Sequence, residues 1–370
     1  MVRSLLPLLL TVALACGQRA KPAYDPETRD GLLIQHIEQE TDPAQKLRYL
    51  EQFVAEYPKH AAIAWVYDQL QPAYFDAKSW DQAMRVGALR MALEPENLQA
   101  GELALRAAEA KRDSSQILEW ADRVWPLANQ LAERGGANAA EARQTAGYAE
   151  FLAYSTAIGT ADLRRRLELL ENFEQHMPGS RYAANLTAEY FEIFQSLGDE
   201  PKSIETAEKG LEKDPQNAEM LIYLAEIHAR KDVPRERQTV IAYATRALES
   251  LKRMPRPASL SEEAWAGRKA RLATLANYLG GVSNSLNHNY APADVMLRAA
   301  VAGMAENDPR LPGALYHLGM ANYRLAEAGN NRSRPADALK FLRLCAAIRS
   351  PFQEQALKDV AGIRAEYNLP

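Results

Sequence analysis

The chain of 370 residues contains only two cysteines, Cys16 and Cys345, and no residue spacing typical of a bound metal. Two cysteines provide no disulfide framework. The six histidines are scattered along the chain, and none belongs to a His-Glu-x-x-His motif, which would place two ligands on one helical face. The sequence therefore predicts no metal site and no cofactor.

Motifs of common enzyme classes are also missing. The chain has no Gly-x-Ser-x-Gly turn for a nucleophilic serine, no glycine-rich phosphate loop and no Cys-x-x-Cys pair. Carboxylate pairs such as Glu262-Glu263 lie in polar helical segments, where solvation explains them. We therefore predict a non-catalytic protein. The formal net charge of −4 also argues against nucleic acid, because such partners require a basic surface.

Runs of alternating β-branched residues, which would indicate strands, are scarce. The chain instead repeats one type of helix ending. Four short phrases close amphipathic, alanine-rich segments: Glu56-Tyr57-Pro58, Leu93-Glu94-Pro95, His176-Met177-Pro178 and Lys213-Asp214-Pro215. Pro58 and Pro95 are 37 residues apart, and so are Pro178 and Pro215. This spacing is close to the period of about 34 residues that is typical of helix-turn-helix solenoids. The chain is therefore expected to be all-α.

The paired segments predict about eight helix pairs followed by a capping helix over residues 352–367. We divide them into a part over 27–255 and a part over 256–370, because Pro255-Arg256-Pro257 interrupts the helical pattern. Asp42-Pro43 marks the start of a helix, with Asp as N-cap and Pro at the first helical position. Gly135-Gly136 marks a loop before a unit placed at 147–180.

The repeats resemble those of the tetratricopeptide (TPR) family. The clearest local match is Leu315-Tyr316-His317-Leu318-Gly319-Met320-Ala321-Asn322-Tyr323, with Ala338 on the partner helix. The resemblance implies a right-handed helical solenoid that binds proteins. The family's small residue on the first helix is replaced elsewhere by Ile34, Gln71 and Tyr154, and the one on the second helix by Arg90 and Phe173.

One phrase points to the cell envelope. Residues 173–183 resemble the Phe-x-x-x-Tyr-Pro-x-Ser-x-Tyr-Ala phrase of TPR lipoproteins in bacterial outer-membrane assembly, and residues 53–60 resemble it more faintly. The alternative is a generic helix end with Pro and an N-capping Ser. The resemblance implies an exported protein.

The N-terminus predicts export independently. Arg3 precedes an apolar run over residues 5–15 that is too short to span a bilayer, and Ala13-Leu14-Ala15 is a small-x-small cleavage site. Val12-Ala13-Leu14-Ala15-Cys16 resembles a bacterial lipobox, in which Cys16 receives lipid. We predict a signal peptide over 1–15 and a tether over 16–26. The alternative is ordinary cleavage that leaves a soluble periplasmic protein.

The TPR resemblance also implies a partner-binding groove, lined by the first helix of each pair. Ten residues occupy its positions here: Trp65, Asp68, Phe75, Tyr148, Phe151, Asn185, Glu192, Tyr316, Tyr323 and Arg324. The alternative is that the aromatic residues among these ten pack in the hydrophobic core. The family's Lys and Asn clamp for a C-terminal carboxylate is replaced by Gly31 and Gln35. We expect a protein or peptide partner. The alternatives are that the chain binds a sugar or peptidoglycan, or that it is the regulatory subunit of an envelope enzyme.

Overall fold

The computed structural model describes residues 22–257, 260–329 and 333–369, and in these ranges it contains 17 α-helices and no strand. In chain order the helices amount to eight consecutive pairs followed by a C-terminal cap. The prediction of an all-α, TPR-like chain of about eight helix pairs is confirmed. The predicted signal peptide, Cys16 and the first part of the tether lie outside the described residues.

The chain divides into two compact units, the first ending at Leu186 and the second beginning at Thr187. The complete helices of the first unit are α1 (Arg29–Gln39), α2 (Pro43–Glu56), α3 (Ile63–Asp76), α4 (Trp80–Leu93), α5 (Leu98–Lys111), α6 (Ser114–Arg134), α7 (Ala139–Ile158) and α8 (Leu163–His176). Helix α9 (Ala183–Leu197) contains the boundary. The second unit has α10 (Glu200–Lys213), α11 (Ala218–Ala229), α12 (Pro234–Arg253), α13 (Glu262–Leu286), α14 (Tyr290–Gly303), α15 (Leu311–Glu327), α16 (Arg334–Ala346) and α17 (Gln353–Tyr367).

Short polar side chains fix many of the helix starts. Asp42 accepts a hydrogen bond from the backbone N–H of Gln45, and Pro43 follows as the first residue of α2, as the sequence predicted. Asn97 and Asn217 cap α5 and α11 in the same way. Gly135 and Gly136, with φ of 77° and 90°, end α6 in the left-handed region that glycine tolerates best. Local chemistry therefore sets the hairpin lengths.

In the first unit, consecutive helices pack as hairpins, and α3 also packs on α5, and α5 on α7. Helices such as α2 and α6 bury one apolar stripe and leave the opposite face polar. Phe53 on α2 and Phe173 on α8 are fully buried. Alternate helices therefore form a layer of their own in this unit, which is the arrangement of a helical-repeat protein.

The second unit follows the same plan. Helix α11 packs on α13, α13 on α15, and α15 on the final helix α17. The Phe352 ring, just before α17, lies 5.3 Å from the Tyr316 ring of α15. Helix α17 therefore covers the last hairpin, as predicted for the capping helix. Cys345 is fully buried in the same cluster, as a small hydrophobic residue.

A buried polar network joins α14, α15 and α16. The Asp294 carboxylate accepts hydrogen bonds from Arg298, Arg334 and the fully buried Asn322. Burial opposes ionisation of Asp294, yet the hydrogen bonds from Arg334 and Asn322 outweigh it and hold its pKa below the usual range. The ionised carboxylate therefore stabilises the contact between these helices.

The start of one helix differs from the sequence-based expectation. Helix α7 begins at Ala139 rather than near Gly147, because the alanine-rich stretch after Gly136 contains no residue that stops a helix. The interruption of the helical pattern predicted at Pro255-Arg256-Pro257 lies between α12 and α13. The division into parts over 27–255 and 256–370 stays a prediction.

Candidate functional site: a groove in the first unit

Helix α3 has one buried face and one face that lines a groove. Its buried residues are Val66, Tyr67, Leu70, Gln71 and Tyr74. The other face carries Trp65, Asp68, Gln69, Pro72 and Asp76, at the spacing of three or four residues that keeps side chains on one side of a helix. The amphipathic pattern that folds α3 therefore also presents this second face.

The groove has a volume of about 1400 Å³. It runs from the end of α1 over the first turns of α2 and across α3 to the junction of α4 and α5. The other lining residues are Glu38, Glu40, Thr41, Pro43, Ala44, Lys46, Leu47, Leu50, Ala73, Ala77, Arg90, Glu94, Asn97 and Gln99. Pockets for single small ligands are commonly about 300–1,000 Å³, so the groove has room for several residues of a peptide.

The floor of the groove is held by a buried polar cluster. Arg90 donates from Nε to Asp68 Oδ1 at 2.9 Å and from Nη1 to Gln71 Oε1 at 2.6 Å. Gln71 is fully buried and donates from Nε2 to the carbonyl of Ala100 at 2.9 Å. The positive charge of Arg90 is therefore neutralised within the protein, and Arg90 is only 8% exposed.

The groove lining as a whole has a net negative charge. It contains the five carboxylates Glu38, Glu40, Asp68, Asp76 and Glu94, against the two bases Lys46 and Arg90. The side chain of Trp65 is half-buried beside them. Gln69 adds an amide whose nitrogen is buried and has no hydrogen-bond partner in the described part of the chain. The groove thus combines a flat aromatic surface, an amide and carboxylates.

Tyr148 and Phe151, also predicted for the groove, lie on α7. The Tyr148 hydroxyl donates to Glu109 of α5, and the Arg106 guanidinium stands 5.2 Å from the centre of its ring. Burial, together with the hydrogen bond to Glu109, raises the pKa of Tyr148. Phe151 is 53% exposed. Neither residue lines the groove beside α3.

The other predicted site residues are dispersed. Phe75 packs against Trp80 with ring centres 5.1 Å apart, while Asn185 and Glu192 are exposed. Tyr323 donates a 2.9 Å hydrogen bond to Glu366 of α17, and the Arg324 guanidinium lies 5.4 Å from the Tyr323 ring centre. Of the ten residues, the structure places Trp65 and Asp68 together in the groove. Partner binding by all ten stays a prediction.

Sequence reasoning missed Gln69, Pro72 and the Gln71–Arg90 pair. A signal for the pair was present, because both residues stand where the repeat resemblance expects a small one. A polar residue at one such position and a polar residue at its partner position suggest a hydrogen bond between them. Gln69 gave no such signal, since an exposed glutamine is common in helices.

Among the described residues, no three His, Cys, Asp or Glu side chains come together as metal ligands. Over the same ranges, no helix is both long and apolar enough to cross a bilayer.

Comparison with known proteins identifies similar folds only at low similarity. No family model and no curated protein matches the chain. Among solved structures, the C-terminal part of a TPR repeat-containing protein from Cytophaga hutchinsonii aligns with 77% of this chain and 98% of its own, at 10% identity and a TM-score of 0.34. Cut9, from a structure of the Cut9–Hcn1 hetero-tetramer, aligns with 90% of this chain and 64% of its own, at 12% identity and the same TM-score.

Yeast Tom70 aligns with 93% of this chain and 66% of its own, again at 12% identity and a TM-score of 0.34. The chain therefore spans about two thirds of the length of Cut9 and of Tom70. At these scores the alignments carry no argument about a partner or a site. The helix pairing within each unit is what defines a repeat protein of TPR-like fold.

Proposed function

We propose that this chain is a non-catalytic scaffold of the bacterial cell envelope, which holds a segment of a partner protein in the groove beside α3. The observation that carries the proposal is the groove itself, with about 1400 Å³ of space and Trp65 in its lining. Aromatic residues are frequent anchors at protein interfaces. A rigid layer of packed helices presents them with little reorganisation on binding.

The envelope location rests on the N-terminal sequence. A short apolar run ends in a small-residue cleavage site before Cys16, and residues 173–183 resemble a phrase of envelope TPR lipoproteins. We propose an exported protein attached to a membrane by lipid on Cys16. The groove would then be displayed in the periplasm.

Site-specific photo-crosslinking tests the groove. A photoreactive phenylalanine derivative replaces Trp65 in one strain, and in a control strain it replaces Val295, which is 69% exposed in the second unit. We expect a discrete protein adduct from position 65 and none from position 295, with the crosslinked peptide identified by mass spectrometry. The absence of an adduct at 65, or the same adducts at both positions, contradicts the proposal.

A sugar ligand is the second candidate, because the flat face of Trp65 beside carboxylates and amides also suits stacking on a sugar ring. Peptidoglycan fragments should then protect the tryptophan fluorescence of the wild type from an added quencher more than that of Trp65→Phe, because four other tryptophans contribute to both signals. In that case the crosslinked material would be glycan rather than protein.

A further inference from the structure

The groove beside α3 has a charge that selects its occupant. Arg90 and Asp68 of its lining neutralise each other, which leaves the four carboxylates of Glu38, Glu40, Asp76 and Glu94. Lys46 is the remaining base. A ligand in the groove therefore contacts a lining of net negative charge.

The charge of the whole first unit acts in the same direction. Residues 22–186 contain 17 Lys and Arg against 25 Asp and Glu, a net charge of −8, whereas residues 187–370 contain 24 against 23, a net charge of +1. A concave surface lined by one sign of charge concentrates the field and attracts ligands of opposite sign. The first unit is thus the part of the chain that attracts a cation.

The uncharged groups of the groove indicate what kind of cation fits. Trp65 offers a ring face, on which an arginine guanidinium stacks more favourably than a lysine ammonium. Carboxylates at the rim accept the paired N–H donors of the same guanidinium. Thr41 and Gln99 offer polar groups to a peptide backbone. The volume of about 1400 Å³ requires more than one side chain to fill it.

We infer that the occupant of this groove is an extended, arginine-bearing peptide segment of a partner protein. The inference rests on the proposed function and names the chemistry of the bound segment. One arginine stacks on Trp65, and its neighbours face the carboxylates of Glu38, Asp76 and Glu94. The first unit supplies the complete surface.

Fluorescence anisotropy with three labelled ten-residue peptides tests the inference. The peptides alternate Ala with Arg, with Lys or with Gln, and each is titrated with the full-length mature protein. We expect the Arg peptide to bind more tightly than the Lys peptide, and the Gln peptide to bind at least about tenfold more weakly than the Arg peptide. Raising the salt concentration from 50 to 500 mM should weaken binding of the Arg peptide, because exposed charges are screened.

Two double variants separate the groove from general charge attraction. Glu38→Gln with Asp76→Asn removes two groove charges at nearly constant shape, and Glu262→Gln with Glu263→Gln removes two exposed charges from α13 in the second unit. The first pair should weaken the Arg peptide about five- to tenfold, as expected for two exposed ion pairs. The second should leave its affinity unchanged.

Trp65→Ala should abolish the preference for Arg over Lys while the helical content stays the same. The inference is overturned if the Gln peptide binds as tightly as the Arg peptide, or if both double variants weaken binding equally. Tight binding of a neutral chitin oligosaccharide in place of the Arg peptide would also overturn it. A protein adduct at position 65 without any Arg preference would leave the proposed function standing and reject this inference alone.

Discussion

Arg90 of α4 donates a 2.6 Å hydrogen bond to Gln71 of α3, and both residues replace a small residue of the repeat pattern. They are 19 residues apart in sequence, as are Tyr154 and Phe173, whose ring centres lie 5.7 Å apart in the hairpin of α7 and α8. Gly319 and Ala338 have the same separation, and there the pair is small: a Cβ on Gly319 would lie 3.3 Å from the Ala338 carbonyl oxygen. Four of the departures from the pattern therefore form two pairs, and the two residues of each pair contact each other within one hairpin.

The pairing predicts coupled effects on stability. Arg90→Leu alone leaves the buried Gln71 carbonyl oxygen without a partner, and Gln71→Leu alone removes a partner of the buried Arg90, so each should cost about 1–3 kcal/mol. The double variant should lose less stability than the two single losses added together, by about 1 kcal/mol or more. Denaturant unfolding of the four proteins measures this cycle. Strictly additive losses would show that the two side chains act independently.

The helices could be predicted from the sequence, but the contacts between them could not. Periodicity and proline spacing are local, so they indicated about eight helix pairs, the Asp42 cap and the capping helix α17. The groove depends on which turns of α2, α3 and α4 face each other, and this is decided by contacts such as Arg90 with Asp68. Tyr148 and Tyr323 were predicted as partner contacts, yet they bond to Glu109 and Glu366 of the same chain, which no spacing rule shows.

Replacing glycine by alanine should change the stability of the protein in opposite directions at two helical positions, Gly87 and Gly147. A Cβ on Gly87 of α4 would lie 2.6 Å from Gln71 Nε2 and 3.1 Å from the Ala100 carbonyl oxygen, so Gly87→Ala should destabilise by about 1–3 kcal/mol. A Cβ on Gly147 of α7 would meet only Arg181, at 3.5 Å. Gly147→Ala should stabilise by about 0.5–1 kcal/mol, because alanine loses less conformational entropy in a helix. Thermal melts of the two variants decide the signs, and a shared sign contradicts this packing.

Stability of the second unit should decrease in mild acid through His317. Burial lowers the pKa of His317 from its usual 6.5 to about 4, although Asp232 acts in the opposite direction. Between these values the unfolded chain binds a proton that the folded protein does not, so stability falls as the pH drops from about 6.5 to about 4, by on the order of 3 kcal/mol.

The measurement is the melting temperature at pH 7.5 and pH 4.5 for the wild type, His317→Gln and the control His36→Gln, whose histidine is exposed. His317→Gln should lose less stability on acidification than the wild type, and His36→Gln should lose the same amount. Equal losses in all three proteins would assign the acid sensitivity to carboxylates elsewhere.

The lipid anchor gives a prediction about the mature N-terminus. If Cys16 follows a lipoprotein cleavage site, the protein purified from membranes should begin at Cys16 and carry a diacylglycerol modification. Cys16→Ser should release the chain from the membrane fraction. Intact mass spectrometry together with fractionation checks this. An unmodified Cys16 in freely soluble periplasmic protein would favour ordinary signal-peptide cleavage.

Tyr323 and Arg324 are neighbours on α15 with different expected roles. Tyr323 is half-buried, packs in the last core cluster and donates to Glu366 of the capping helix, so Tyr323→Ala should cost about 1–3 kcal/mol, less than a fully buried aromatic residue. Tyr323→Phe keeps the ring and should cost no more than about 1 kcal/mol. The Arg324 side chain is 45% exposed, and Arg324→Ala should change stability by no more than about 0.5 kcal/mol. Thermal melts and capture of the crosslinked partner are compared for each variant. Capture lost by Arg324→Ala at unchanged melting temperature would indicate a separate contact surface in the second unit. Capture lost only by Tyr323→Ala, in proportion to unfolding, would leave both residues outside any binding site.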